Sequence, residues 1–165
     1  MRRKLALLNV IALVVAAGIG GALTTASASA PTSADGSFQA TIDPQTFSLT
    51  PVGENCLLQV DGELTFSGTI EGGATGTTQA LVFASCADAA EHPPGTFRDV
   101  FMSELKFSGT INGVPATADM TYQGHVHAGG DTDALVRLSN GVRGVLHVDA
   151  TVAVGGDYQG FVQVH

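Results

Sequence analysis

The chain has 165 residues, of which 44% are hydrophobic and only 13% charged, with 21 glycines and no tryptophan. So apolar and weakly charged a chain folds rather than staying disordered, and its composition excludes a coiled coil. The formal net charge of −8 argues against a nucleic-acid binder.

Arg2, Arg3 and Lys4 precede an apolar run over 5–15, and Ala28-Ser29-Ala30 supplies the small residues at which a signal peptidase cuts. Residues 1–30 are therefore expected to be a cleaved export signal, which makes the protein secreted and extracellular. The mature chain then begins at Pro31. A retained membrane anchor is the alternative, but 18–30 is mostly Gly, Ala, Ser and Thr, too polar to hold in a bilayer core. The paired arginines leave a twin-arginine export route open beside the general one. Cleavage leaves Arg98, Lys106, Arg137 and Arg143 against fifteen acidic residues, a net −11. Such a surface repels phosphate backbones and anionic headgroups, so neither nucleic acid nor a membrane is an expected partner of the mature domain.

Residues 31–165 read as one domain. Past the signal, helix periodicity is absent and period-2 alternation is nearly continuous. Eight or nine strands are predicted, near 37–42, 46–50, 56–70, 77–86, 97–111, 115–128, 133–138, 142–154 and 158–164. In the third, Cys56, Leu58, Val60, Leu64 and Phe66 share one parity while Gln59, Asp61, Glu63, Thr65 and Ser67 hold the other. Each long strand thus hides one face. Turn residues stand between them: Glu71-Gly72-Gly73, Asn112-Gly113, Gly129-Gly130-Asp131, Asn140-Gly141 and Gly155-Gly156-Asp157. Short turns make sequential strands antiparallel neighbours.

An internal echo links 63–72 (ELTFSGTIEG) with 104–113 (ELKFSGTING), each expected to end a long strand in a hairpin turn. Two copies are too few for a propeller or solenoid. Glycines within strands, at 68, 109, 124, 144 and 160, suit sharp bends or close backbone approach. The fold expected is an all-β, antiparallel up-and-down β-barrel of about eight strands, with a β-sandwich as the alternative.

Cys56 and Cys86 are the only cysteines, and an exported chain with an even count most often pairs them. Closing a loop of about 30 residues contributes roughly 3 to 4 kcal/mol in the chain-entropy model. A reactive or metal-binding pair is the alternative. If both cysteines lie on neighbouring strands turned near Gly73, Cys56 falls opposite a residue near 90, and a bulge at Asp61-Gly62 would be needed to bring Cys86 to it.

The tail from Leu138 through Gly141-Val-Arg-Gly144 to Ala150, followed by Tyr158-Gln-Gly160, resembles the closing strands of allene-oxide-cyclase-like and dirigent-like barrels. There a Gly-x-x-Gly step opens one strand and Tyr-x-Gly sits on the next. The resemblance covers about the last third of the chain. It implies an eight-stranded barrel with an apolar lumen, in a secreted bacterial member, and a scaffold that in some members steers a cyclisation or coupling. No functional residue of those enzymes is matched in position.

His125-Val-His127 with Asp131 and Asp133 is the most metal-like constellation, but both histidines fall on the polar parity with Asp119 and Gln123, so they are expected in water and no metal or other cofactor is expected. His147 is outward by the same parity. Asp99 is the opposite anomaly, a carboxylate on the apolar parity of Phe97, Phe101, Leu105 and Phe107. A buried carboxyl without a partner has a raised pKa and suits a general acid. Tyr122 and Tyr158, both inward, could supply hydroxyls, which makes Asp99, Tyr122 and Tyr158 the candidate catalytic set. Phe97, Phe101 and Met120 are the candidate ligand contacts. Gly-x-Ser-x-Gly, phosphate-loop and zinc motifs are all missing from the sequence. The expected function is a binding module whose lumen takes a small apolar ligand or whose surface meets a partner protein. The alternatives are an isomerase or cyclase using the lumen and a purely structural or surface interaction domain.

The exported protein should begin at Pro31 and gain no mass on thiol labelling until it is reduced, a step that itself adds two hydrogens by intact-mass measurement. Two free thiols in freshly exported material would contradict the pairing.

Overall fold

The computed structural model describes residues 30–165. The expected export signal lies, but for Ala30, outside the described residues. The order of elements is β1 (Thr32–Ile42), a 3-10 turn (Pro44–Thr46), β2 (Ser48–Val52), β3 (Asn55–Gly68), β4 (Ile70–Val82), α1 (Cys86–Glu91), β5 (Asp99–Ile111), β6 (Val114–Val126), β7 (Asp131–Ser139), β8 (Val142–Thr151) and β9 (Gly155–Val164). Sequential strands from β3 to β9 pair antiparallel. β1 then pairs with β9 through Thr32↔Val162 to Gln39↔Gly155 and with β3 through Gly36↔Gly68 to Ile42↔Gly62. That double pairing closes an eight-stranded barrel, so the sandwich alternative falls. β2 is the extra strand: it takes over the edge of β3 that β1 vacates, pairing Ser48↔Gln59 to Val52↔Asn55.

Alternation along the strands gives the barrel a dry inside and a wet outside. On β3, Val60, Leu64 and Phe66 are buried while Gln59, Asp61, Thr65 and Ser67 are exposed. A polar outer face is suited to water rather than lipid. No helix among the described residues is long and apolar enough to cross a membrane.

Two expectations about hairpins change. Gly155-Gly156-Asp157 lies inside β9, and the β8/β9 hairpin turns at 152–154, where Ala153 takes φ 58°. Glu71-Gly72-Gly73 lies inside β4, and the chain reverses at Gly68-Thr69 instead. The reason is legible in the two echo copies. The second copy turns at Asn112-Gly113, where both residues take positive φ, 52° and 75°. The first has Glu71 where the second has Asn112, and glutamate tolerates that conformation poorly. Its turn moves back to Gly68, which takes φ 108°. The first copy therefore contains its turn and the second ends in one.

The earlier reversal also sets the disulfide. Cys56 stands opposite Val82, the β3/β4 ladder runs unbroken through Asp61 and Gly62, and the expected bulge is not there. Cys86 opens α1 rather than ending a strand, and from there it bonds Cys56 with Cα atoms 4.8 Å apart.

One end of the barrel is filled. Ile70, Ile111, Met120, Val142, Leu146 and Val162 are each at most 1% exposed there. Above them aromatic rings tile the lumen: Phe66 meets Phe107 and Tyr158 edge-on at 6.3 and 5.7 Å, and Phe38 meets Tyr122 at 6.1 Å. The Tyr158 hydroxyl accepts from the Ile70 amide at 2.9 Å and donates toward the Ser67 carbonyl at 3.2 Å. Gly36 makes room for it, since a Cβ there would stand 2.5 Å from that hydroxyl.

Tyr158→Phe leaves the buried Ile70 amide without an acceptor and should cost about 1 to 3 kcal/mol. Urea unfolding should show a lower midpoint with an unchanged slope, and an unshifted midpoint would mean that water replaces the hydroxyl.

Candidate functional site

The other end of the barrel is hollow. A cavity of about 480 Å³ lies under α1 and the segment that follows it. Its floor is Phe38, Leu64, Leu105 and Tyr122, and its walls include Val60, Ala80 and Phe101. Phe101 meets Tyr122 edge-on at 4.9 Å. The hollow is helped by a small residue in the wall: Phe101 pairs with Ala80, which also lines it.

The cover is the chain between β4 and β5, and the sequence hides it behind an expectation of strand to residue 86. Its local signal is a capping pattern. Ser85 accepts from the Asp88 amide at 3.1 Å and donates to the Asp88 carboxylate at 2.6 Å, so Ser85-x-x-Asp88 starts α1. Pro93-Pro94 then prevents the helix from continuing. Three tethers hold the cover down. Phe83 N–H donates to the Arg98 carbonyl at its base, Cys86 is bonded to Cys56, and Gly129 N–H donates to the Gly95 carbonyl at 2.9 Å. His92 packs edge-on against Phe97 at 5.4 Å, and both line the cavity.

Asp99 is the chemical anomaly here as it is in the sequence. It opens β5 between Val82 and Val126, is only 9% exposed, and lines the cavity. Its Oδ1 is buried with no hydrogen-bond partner. The other buried polar side chains of the wall are satisfied: Ser103 shares a 2.7 Å hydrogen bond with Thr78, and Thr132 donates to the Gly130 carbonyl at 3.4 Å. Burial pushes the Asp99 carboxyl up from 3.8 to about 7. Burial also raises the Tyr122 phenol.

Of the residues singled out in the sequence, Asp99, Tyr122, Phe97 and Phe101 line this one cavity. Tyr158 and Met120 do not. Tyr158 is held by backbone at the filled end, where burial outweighs the Ile70 hydrogen bond and raises its pKa. Met120 is 1% exposed within the packed core. The proposed catalytic trio is therefore not assembled. Asp99 pairs with Val126, and Tyr122 lies four residues further along β6, a distance of roughly 13 Å at about 3.3 Å per residue. Phe38 and the cover escaped the sequence reading because they reach the cavity only through barrel closure and the disulfide.

The histidines behave as their parity requires. His125, His127 and His147 are exposed, and His127 Nε2 lies 2.9 Å from Asp133 Oδ2 on the outer surface. Among the described residues no group of three or more His, Cys, Asp or Glu side chains could hold a metal ion.

No family model matches this chain, and no curated protein matches it.

The raised Asp99 carboxyl has a measurable consequence. The native chain keeps that proton to about pH 7, whereas the unfolded chain releases it near 3.8. Its contribution to stability is thus full below about pH 4 and is lost as pH climbs through 7. Asp99→Asn removes the dependence. The variant-minus-wild-type difference in Tm should rise between about pH 4 and 8, and a flat difference would show an ordinary, solvated carboxylate.

Proposed function

We propose that this protein is an exported binding module whose barrel end takes one small, largely apolar ligand. The observation that carries the reading is the 480 Å³ hollow, walled by aliphatic and aromatic side chains and partly covered by a tethered segment. A concave, mostly apolar hollow with few polar groups in its wall is the form that small-molecule sites take. At about 30 Å³ per atom the hollow accommodates roughly fifteen non-hydrogen atoms, within the range of small-molecule sites. The disulfide is consistent with an oxidising compartment, which the N-terminal pattern also suggests.

A second reading, an isomerase or cyclase of the kind the barrel resemblance implies, draws on the Asp99 carboxyl held near neutrality. In that case a substrate would have to span from Asp99 to Tyr122, because the two are not in contact. The two readings differ in the fate of the ligand: a binding module returns it unchanged, an isomerase does not.

The test is saturable binding of the neutral dye N-phenyl-1-naphthylamine, followed by its fluorescence. One dye should bind per chain, and Ala80→Trp, which fills the wall between Leu58 and Phe101, should weaken binding at least tenfold without lowering Tm. Absence of saturable binding, or equal binding by the filled variant, would overturn the reading.

A further inference from the structure

Resting on that binding reading, the identity of the ligand's polar end follows from what the cavity offers and what it lacks. The cavity wall carries one buried polar atom without a partner, Asp99 Oδ1. An unpaired buried acceptor is costly, and more so when charged, so a ligand that supplies a donor at that point recovers the loss. The lining contains no lysine and no arginine. A carboxylate or phosphate head would therefore enter without a counter-charge, beside a carboxyl and under a cover that itself bears Asp88 and Glu91. Glu63 adds another acid to the lining. The cations nearest in sequence face elsewhere: the Arg98 guanidinium sits over the Phe83 ring, 5.9 Å from its centroid, and Lys106 is paired with Asp119 on the outside. Residues 31–165 hold four basic and fifteen acidic side chains, a field that concentrates cations at the surface and repels anions.

We propose that the cavity takes an apolar primary amine, its ammonium group donating to Asp99 Oδ1 and its hydrocarbon chain lying on Phe38, Phe101 and Tyr122. Pairing with the ammonium group favours the ionised carboxyl, so binding releases the Asp99 proton wherever the empty cavity holds it. The other titratable groups facing the cavity are Glu63, Tyr122 and, on the cover, His92. Loss of the Asp99 proton makes amine affinity climb as pH rises, and His92→Gln removes the one imidazole of the lining from the comparison.

The test is displacement of N-phenyl-1-naphthylamine by decylamine, decanol and decanoate, three ligands with one chain and three heads. Decylamine should bind at least tenfold more tightly than decanol, with decanoate weakest. In Asp99→Asn the amine-to-alcohol ratio should fall to within about twofold of unity. Should that variant fail to fold, the pH profile of the His92→Gln protein decides the matter: decylamine affinity should rise at least tenfold from about pH 5 to 8, where the amine stays protonated, while decanol affinity stays flat, and a flat decylamine profile would overturn the assignment. Dye and decanol bound with no preference for the amine, or a preference that survives Asp99→Asn, would overturn the amine assignment alone. Failure of the dye and of all three chains to bind would overturn the binding reading beneath it.

Discussion

Everything else in the molecule depends on β1 being hydrogen-bonded along both edges. Gly36 to Gln39 pair with β9 on one side and β3 on the other, so β1 closes the sheet and removes the unpaired edges that an open eight-stranded sheet would carry there. Close approach at that seam is what Gly36 permits, and the Tyr158 hydroxyl occupies the space a side chain would have taken. Closure converts period-2 patterning into a lumen. Once the ring is shut, every inward side chain must share a volume fixed by strand number and stagger, and only their sizes decide where that volume is full.

The same seam explains why one end is full and the other hollow. β1 follows β3 only to Ile42, leaves through the 3-10 turn at Pro44–Thr46, and hands the remaining edge to β2, which has no second partner strand. The wall at that end therefore lacks the continuous ladder that forces side chains together at the other. Large residues gather at the closed end, where Ile70 stands directly opposite Ile111. Toward the open end the small Ala80 lines the lumen, and the space beside it is roofed by α1 and its loop instead of being packed.

A roof over a hollow gains little from burial, since it packs on few atoms. The Cys56–Cys86 bond and the Gly95–Gly129 hydrogen bond supply from covalent and backbone chemistry what packing cannot. Asp99 stands at the root of this roof, at the first residue of β5, where the chain passes from cover to wall. A carboxyl at such a position raises the energy of the empty protein. Polar satisfaction is broken there beside a hollow in the packing.

The sequence by itself determined the strands, their inward parity and their antiparallel order. Those follow from neighbours two residues apart and from turn chemistry such as Asn112-Gly113 and Asn140-Gly141, which are local properties. It also marked Asp99, because one carboxylate among phenylalanines and leucines violates a period that needs no partner to be recognised. Tertiary structure alone decided which hairpin turned where. Glu71-Gly72-Gly73 has turn composition, yet Gly68 reverses the chain, and the register so chosen places Cys56 opposite Val82 and sends Cys86 onto a helix. It also decided which candidates share a site: Tyr122 and Tyr158 have the same parity and residue type, but strand stagger around the closed ring puts one on the cavity floor and the other among backbone groups at the filled end. Parity is a property of one strand, whereas depth in a barrel is set by the registers of all of them summed around the ring.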